Sequence, residues 1–229
     1  MKIVIIHGQS HKGSTYHIAR ELAEKLHGEI SEFFLPRDFH SFCVGCNQCL
    51  YVSEEKCPHV GDFAPILRKI DEADVIILAS PVYVYHVTGA MKVFLDHFAY
   101  RWMLHRPEPS MFHKQGVCIC TAAGAGVKPT LKDMADSMFY WGIGKIHKYG
   151  LVVHATKWDK VRPDTKAAID HDTTKLAAKI TANYGKVRPG LKTKAMFMVM
   201  RMIRQKRYSE IDNPYWEEHG WMGKGRPWK

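Results

Sequence analysis

The sequence predicts an α/β domain: a doubly wound, five-stranded parallel sheet with helices on both faces, followed by a C-terminal helical and aromatic extension. Short apolar, β-branched runs alternate with longer segments of helical apolar spacing, the pattern of consecutive βαβ units. One run, Ala73 to Ser80, is continuously apolar (ADVIILAS), as a strand covered on both faces must be. The alternation stops before residue 186, which divides the chain into a domain over 1–185 and a basic, aromatic segment over 186–229.

The elements follow in order. Residues 2–6 form a first strand. Ile18, Leu22 and Leu26 mark a helix over 14–27, with Ser14 or Thr15 as its expected N-cap. A second strand is expected over 29–35, a helix over 61–71, and the third strand over 73–80. A helix over 88–104, a strand over 116–121, a helix over 127–141, a strand over 146–153 and a helix over 163–184 complete the domain. Right-handed crossovers place the helices on both faces. Ligands of such sheets bind beyond the carboxyl ends of the strands, where the strand order reverses, so the loops 7–15, 80–88 and 121–127 are the candidate site.

The chain of 229 residues, 46% of them hydrophobic, is long enough for a substantial core and too apolar for general disorder. No secretory segment is evident and no apolar run reaches the 18 or so residues of a membrane span, so a cytoplasmic protein is expected. In a reducing compartment the six cysteines are read as metal-binding, redox-active or buried before any disulfide is considered. The net charge is +10, and residues 186–207 carry Lys186, Arg188, Lys192, Lys194, Arg201, Arg204, Lys206 and Arg207 without an acid. No recognised nucleic-acid motif accompanies that charge, and no nucleic-acid partner is expected.

Residues 7–15 read His-Gly-Gln-Ser-His-Lys-Gly-Ser-Thr, between a strand and a helix. Free N–H groups and the macrodipole make a helix N-terminus an anion site. Ser10, Ser14 and Thr15 add hydroxyls, and Gly8 and Gly13 let the backbone approach closely. The glycine spacing fits neither a dinucleotide fingerprint nor a Walker loop. A hydroxyl-rich loop suits a terminal monophosphate; an ordinary strand–helix turn with a serine cap would carry the same residues.

Taken together, three loops resemble those of the NADPH-dependent FMN reductase and iron–sulfur flavoprotein families, which have a flavodoxin-like fold. The first is similar to their GSPRKGST-type phosphate loop, with Gln9 and His11 where Ser and Arg are common. The stretch from Ser80-Pro81-Val82-Tyr83-Val84-Tyr85 to Lys92-Val93-Phe94-Leu95-Asp96 resembles their SPxYxxxxxxxxKxFLD element. Thr121-Ala122-Ala123-Gly124-Ala125-Gly126 resembles their Gly-rich third loop. The resemblance covers roughly residues 1–155. It implies FMN as cofactor and NAD(P)H as co-substrate. Gln9, Ser10, His11, Gly13, Ser14 and Thr15 would lie at the phosphate, with Lys12 and His11 partly replacing the Arg. Pro81, Val82, Tyr83 and Val84, with Thr121, Ala122, Ala123, Gly124 and Gly126, would lie along the flavin. The cofactor carries the redox chemistry, so no catalytic side chain is assigned. His86 stands near the expected ring edge, where a lone His is more often incidental.

Cys43, Cys46, Cys49 and Cys57 form a C-x2-C-x2-C-x7-C run followed by Pro58. Such a run suits a [4Fe–4S] cluster, a zinc ion, or free thiols. It resembles the cysteine motif of iron–sulfur flavoproteins, although the last spacing is longer than theirs. Cys118 and Cys120 alternate in a strand and are expected to be buried.

On a helix over 191–207, Leu191, Ala195, Met198, Val199, Met202 and Ile203 share one face, flanked by Lys192, Lys194, Arg201, Arg204 and Arg207. That face is expected to pack on its own domain or on a second subunit rather than on a membrane, and residues 191–221 are expected at a homo-oligomer interface or over the flavin. The leading function is an FMN-dependent NAD(P)H oxidoreductase passing electrons to a quinone or other small acceptor. The alternative is an iron–sulfur flavoprotein fed by ferredoxin, and a third reading is a membrane-associated binding protein with a degenerate flavin site.

Overall fold

A computed structural model describes residues 1–207 and 209–229. Five parallel strands, β1 (Lys2–His7), β2 (Glu29–Phe34), β3 (Val75–Ala79), β4 (Gln115–Ala122) and β5 (Lys145–Val152), form one sheet of order β2-β1-β3-β4-β5. The order reverses at β1, between β2 and β3. β1 pairs with both, so that His7 lies opposite Phe34 on one side and Ala79 on the other. The carboxyl ends of the central strands thereby meet at one edge. Every residue of β3 and of β4 is buried, as their apolar sequences require.

Alternation along β1 divides the core. Ile3 and Ile5 pack with α1 (Ser14–Lys25) and, with Val75 and Ile77 of β3, join the cluster that includes Ile169 and Ile180 of α6 (Pro163–Asn183). Val4 and Ile6 face α3 (Val60–Glu72), α4 (Gly89–Asp96) and α5 (Val127–Tyr140) through Phe63, Ile66, Met91, Phe94 and Met138. Each such side chain, fully buried, contributes roughly 1.5–3 kcal/mol.

Two local expectations change. α1 is capped by Gly13, and no side chain caps it; Ser14 and Thr15 lie inside its first turn. The helix expected over 88–104 ends at Asp96. Beyond it, Phe98 stacks on Trp141 at 4.2 Å, and Arg101 grips Asp71 through two bonds of 3.0 and 2.8 Å. These long-range contacts outweigh continuation of a local helix, and a single 3-10 turn over Ala99–Arg101 results.

The C-terminal segment folds back on the domain as α7 (Leu191–Arg204) and α8 (Asp212–Glu218). Phe197, Trp216 and Trp221 bury together with Met103 and Phe112 in a third apolar cluster. The inner face of α7 carries Thr193, Phe197 and Arg204. The face chosen from periodicity does not pack on its own domain, because Leu191, Val199 and Met202 point to solvent, at 86%, 42% and 57% exposure. Arg204 is drawn inward by Asp212, 3.1 Å away and itself buried. Among the described residues, no helix is long and apolar enough to cross a membrane.

Candidate functional site

The loops that follow β1, β3 and β4 converge on a cavity of 310 Å³ at the reversal of strand order, where open α/β sheets bind ligands. Gln9, His11, Gly13, Ser14 and Thr15 line it from the first loop, Pro81, Val82 and Tyr83 from the second, and Thr121, Ala122 and Ala123 from the third. Five residues expected there are not in its wall: Ser10, Lys12, Val84, Gly124 and Gly126. Ser10 turns away, its hydroxyl donating to the Leu35 carbonyl at 3.1 Å. Val84 stands at the tip of a hairpin and is 92% exposed. Nothing lies within 4 Å of a Cβ placed on Gly124, so that loop tip is open. Among the described residues, none beyond Thr156 borders the cavity, so the described part of the C-terminal segment does not cover it.

Hydrogen bonds lock the three loops together. Gln9 Nε2 donates to the Tyr83 hydroxyl at 2.9 Å, and Thr15 Oγ1 meets Thr121 Oγ1 at 2.7 Å. Thr88 caps α4 by accepting from the Met91 N–H at 3.1 Å, while its hydroxyl donates to the Gly8 carbonyl at 2.5 Å. A Cβ on Gly8 would lie 2.9 Å from that same hydroxyl oxygen, so only glycine admits the contact. The second loop closes as a tight hairpin in which Tyr83 and His86 exchange backbone bonds of 2.9 and 3.0 Å. Its tip holds Val84 and Tyr85 at positive φ, 47° and 67°, a conformation costly for a β-branched residue.

The lack of a side-chain cap bears on chemistry. The first N–H groups of an α-helix have no partner within it, and here no side chain supplies one to α1. Ser14 and Thr15, at 8% and 6% exposure, add hydroxyls at the same wall. These are donors suited to a phosphate monoester. Apolar Pro81, Val82 and Ala122 with the Tyr83 ring supply a surface suited to a flat heterocycle, so the wall fits FMN in both halves.

Sequence reasoning passed over His7, Tyr16, Val153, Ala155 and Thr156, which also line the cavity. His7 ends β1 on the α1 side, stacked on Phe34 at 4.5 Å, with Nε2 2.9 Å from Glu32 Oε1. Glu32 in turn holds Arg20 at 2.7 Å. Burial pushes the His7 pKa down, against the opposing pull of Glu32. A polar residue at the end of an apolar strand, in register with Ile3 and Ile5, was the available signal. His86 lies outside the cavity wall, its Nδ1 2.9 Å from Asp133 Oδ2 on the surface.

Cys43, Cys46, Cys49 and Cys57 line a second cavity of 180 Å³. Cys43 and Cys46 are exposed in a loop that precedes α2 (Gln48–Tyr51); Cys49 and Cys57 are half-buried. Burial pushes the Cys49 thiol pKa up, and the other three thiols push it further the same way, which places all four within electrostatic reach of one another. Behind Cys57, His59 Nδ1 and His97 Nε2 are 3.0 Å apart, and His97 Nδ1 donates to the Val93 carbonyl at 2.9 Å. Phe63, Leu67 and Tyr100 floor the cavity. Four thiols around an apolar pocket suit an iron–sulfur cluster. Cys118 and Cys120 lie buried in β4, as expected, and burial pushes both thiol pKa values up to about 12.

The strand order 2-1-3-4-5 with a cavity at the β1/β3 switch defines a flavodoxin-like protein. The chain belongs to the NADPH-dependent FMN reductase family, whose model matches residues 1–157. An iron–sulfur flavoprotein of Archaeoglobus fulgidus is 37% identical over 104 residues, 45% of this chain and 44% of the relative. Another, of Methanocaldococcus jannaschii, is 38% identical over 100 residues, 42% of this chain and 51% of the relative. The matched stretches thus span about half the length of these curated relatives. Among solved structures, an NADH:FMN oxidoreductase superposes with a TM-score of 0.58 at 14% identity, over 85% of this chain and 97% of that one. At that identity the likeness is one of fold.

Proposed function

We propose that the protein is an FMN-dependent NAD(P)H oxidoreductase that passes electrons to a quinone or another small acceptor. One observation carries the reading: a helix N-terminus without a side-chain cap, flanked by the Ser14 and Thr15 hydroxyls, opens into the cavity at the strand-order reversal. Bound FMN would supply hydride acceptance and one- or two-electron release. The chain's own residues would do the holding. Ser14, Thr15 and the first N–H groups of α1 meet the phosphate, with His11 beside them and Lys12 adding positive charge. Gly13 keeps the turn close. Pro81, Val82 and Tyr83 flank the ring on one side, and Thr121, Ala122 and Ala123 on the other. Gln9 and Ser10 hold the first loop in shape through Tyr83 and Leu35. Val84, Gly124 and Gly126 set the form of the two flavin loops. No side chain is required as acid or base, and the surface position of His86 supports that.

Exposed Tyr83, Val84 and Tyr85 beside the open cavity favour a homo-oligomer in which a second copy shapes the acceptor pocket. Exposed Cys43 and Cys46 favour a reducing, cytoplasmic setting. Purified protein mixed with FMN should quench flavin fluorescence, and anaerobic NADH or NADPH should bleach the bound flavin. Absence of quenching at excess FMN would refute the flavin site. Bleaching by neither nucleotide would refute the nicotinamide step alone.

A second reading is favoured by the four thiols around one cavity and by the names of the matched relatives. Cys43, Cys46, Cys49 and Cys57 would hold a [4Fe–4S] cluster, and a ferredoxin would deliver the electrons. Anaerobic purification with iron, zinc and flavin analysis decides it: about four irons per chain supports the cluster, and stoichiometric zinc or neither metal overturns it.

A further inference from the structure

We infer that the outward face of α7 is a docking surface for an anionic lipid membrane, on which the folded protein rests without spanning it. The inference stands apart from the flavin reading. The inner side of the helix is already occupied, with Phe197 stacked on Trp216 at 5.0 Å and Arg204 held by Asp212. What remains outward is a stripe of Leu191, Ala195, Met198, Val199 and Met202, each three or four residues from another of the set. Leu191 at 86% and Met202 at 57% exposure are among the most exposed large apolar residues of the chain. An apolar stripe left on a soluble surface marks a contact.

The charge around the stripe identifies what it contacts. Lys192 borders one side, Lys194 and Arg201 the other, and Lys206 follows in the turn just past the end of the helix. Among the described residues none of these four cations has a carboxylate within 4 Å: Lys192 lies over the Phe139 ring at 4.6 Å, Lys194 over Trp228 at 5.9 Å, and Arg201 donates to the Trp221 and Met222 carbonyls at 3.0 Å. The whole stretch 186–207 contains no acid. A second copy seated on this face would oppose like charges with no carboxylate there to pair them, which is destabilising. A layer of anionic headgroups over acyl chains matches both parts. Long cationic side chains reach the headgroups while the apolar stripe enters the boundary beneath them. The helix is folded beforehand on the domain, so no backbone ordering cost opposes docking.

The test is sedimentation of the purified full chain with vesicles of phosphatidylcholine alone, or of phosphatidylcholine and phosphatidylglycerol in two-to-one ratio. Binding to the anionic vesicles should exceed binding to the neutral ones by about tenfold or more, since each cation near such a surface adds attraction. It should weaken as salt is raised. The triple variant Leu191→Ser, Val199→Ser, Met202→Ser changes only outward side chains, and circular dichroism verifies its fold; it should lose most of the binding. Lys192→Glu with Lys206→Glu should lose it as well. Failure of the parent protein to bind anionic vesicles overturns the inference. So does full binding by the triple variant, which would leave charge alone. Self-association abolished by the triple variant, without lipid binding, would assign the face to a second copy. Equal retention by a polyglutamate peptide would assign it to an acidic protein.

Discussion

Thr15 Oγ1 and Thr121 Oγ1 lie 2.7 Å apart, 106 residues apart in the chain. The bond joins the first turn of α1 to the end of β4 across the cavity wall. Thr15 thereby shares its hydroxyl between a neighbouring loop and the cavity, whereas Ser14 forms no side-chain bond among the described residues that competes for its own. The two hydroxyls are therefore not equivalent toward a phosphate, although they are adjacent in sequence.

Replacement of both tests the cradle. Ser14→Ala with Thr15→Ala should weaken FMN binding by a few kcal/mol at most, given about 1.5–3 kcal/mol per hydrogen bond to a charged group. Fluorescence titration reads the loss. The inequivalence is tested by the single changes: Ser14→Ala should account for more of it than Thr15→Val. Equal affinity of the double variant and the parent would remove the phosphate from this loop.

Gly126 joins the second and third loops by close approach. Its φ is +95°, and a Cβ there would fall 2.5 Å from Val82 Cγ1 and 3.0 Å from Tyr85 Cα. Gly126→Ala should therefore push the hairpin away from the cavity as well as strain the backbone, at about 1–3 kcal/mol for the conformation alone. A lower melting temperature together with weaker FMN binding is expected. A melting temperature equal to the parent's would show that the hairpin moves freely and that the glycine is not needed.

Much of this site was legible in the sequence because its parts are punctuation. Gly8, Gly13 and Gly126, with the hydroxyls between them, interrupt apolar runs that could be nothing but buried strands. His7 was overlooked because it was read as the first residue of the loop 7–15, whereas it ends β1 and continues the alternation of Ile3 and Ile5. Ala155 and Thr156 follow β5 in a stretch with no glycine marker. The outer face of α7 was visible as a stripe, but its direction was not. That direction depends on Phe197 meeting Trp216 and on Arg204 meeting Asp212, pairings between segments whose local spacing says nothing about each other.

His147 sets a pH dependence of folding. It is buried in β5, with Nε2 3.1 Å from Gln115 Oε1. Burial, reinforced by Lys179 and Lys145, pushes its pKa down from 6.5 to about 4. Below 6.5 the unfolded chain takes up a proton that the folded chain refuses, so stability falls with falling pH until about 4 and then levels off for this group. Burial shifts His7, His17 and His97 in the same direction, and their contributions add. Urea midpoints measured across that range should decline toward acid, and His147→Gln should make the decline shallower. An unchanged slope in the variant would mean that His147 titrates normally in the fold.

Arg106 ties the C-terminal segment to the cysteine loop. Its guanidinium donates to Asp212 and to the Cys49 carbonyl, and it lies 3.3 Å from Glu54. Asp212, almost fully buried, also accepts from His105 at 2.9 Å and pairs with Arg204 at 3.1 Å. Burial opposes its ionisation, but the His105 hydrogen bond and the charges of Arg204 and Arg106 outweigh it and hold the carboxyl below its usual range. Removing Arg106 leaves Asp212 with Arg204 and His105 as its remaining partners, so the cost lies below the about 3–5 kcal/mol of a buried pair left without compensation. Arg106→Met should therefore destabilise the protein and also release the Cys49 carbonyl from its tether. The second effect separates a link between the tail and the loop from general destabilisation. With the variant still folded at low temperature, half-buried Cys49 and Cys57 should react with a thiol reagent several-fold faster, while buried Cys118 and Cys120 keep the parent's rate. Acceleration of all four together would mean global loosening. A loss of stability with every thiol rate unchanged would show that the cysteine loop keeps its shape without Arg106.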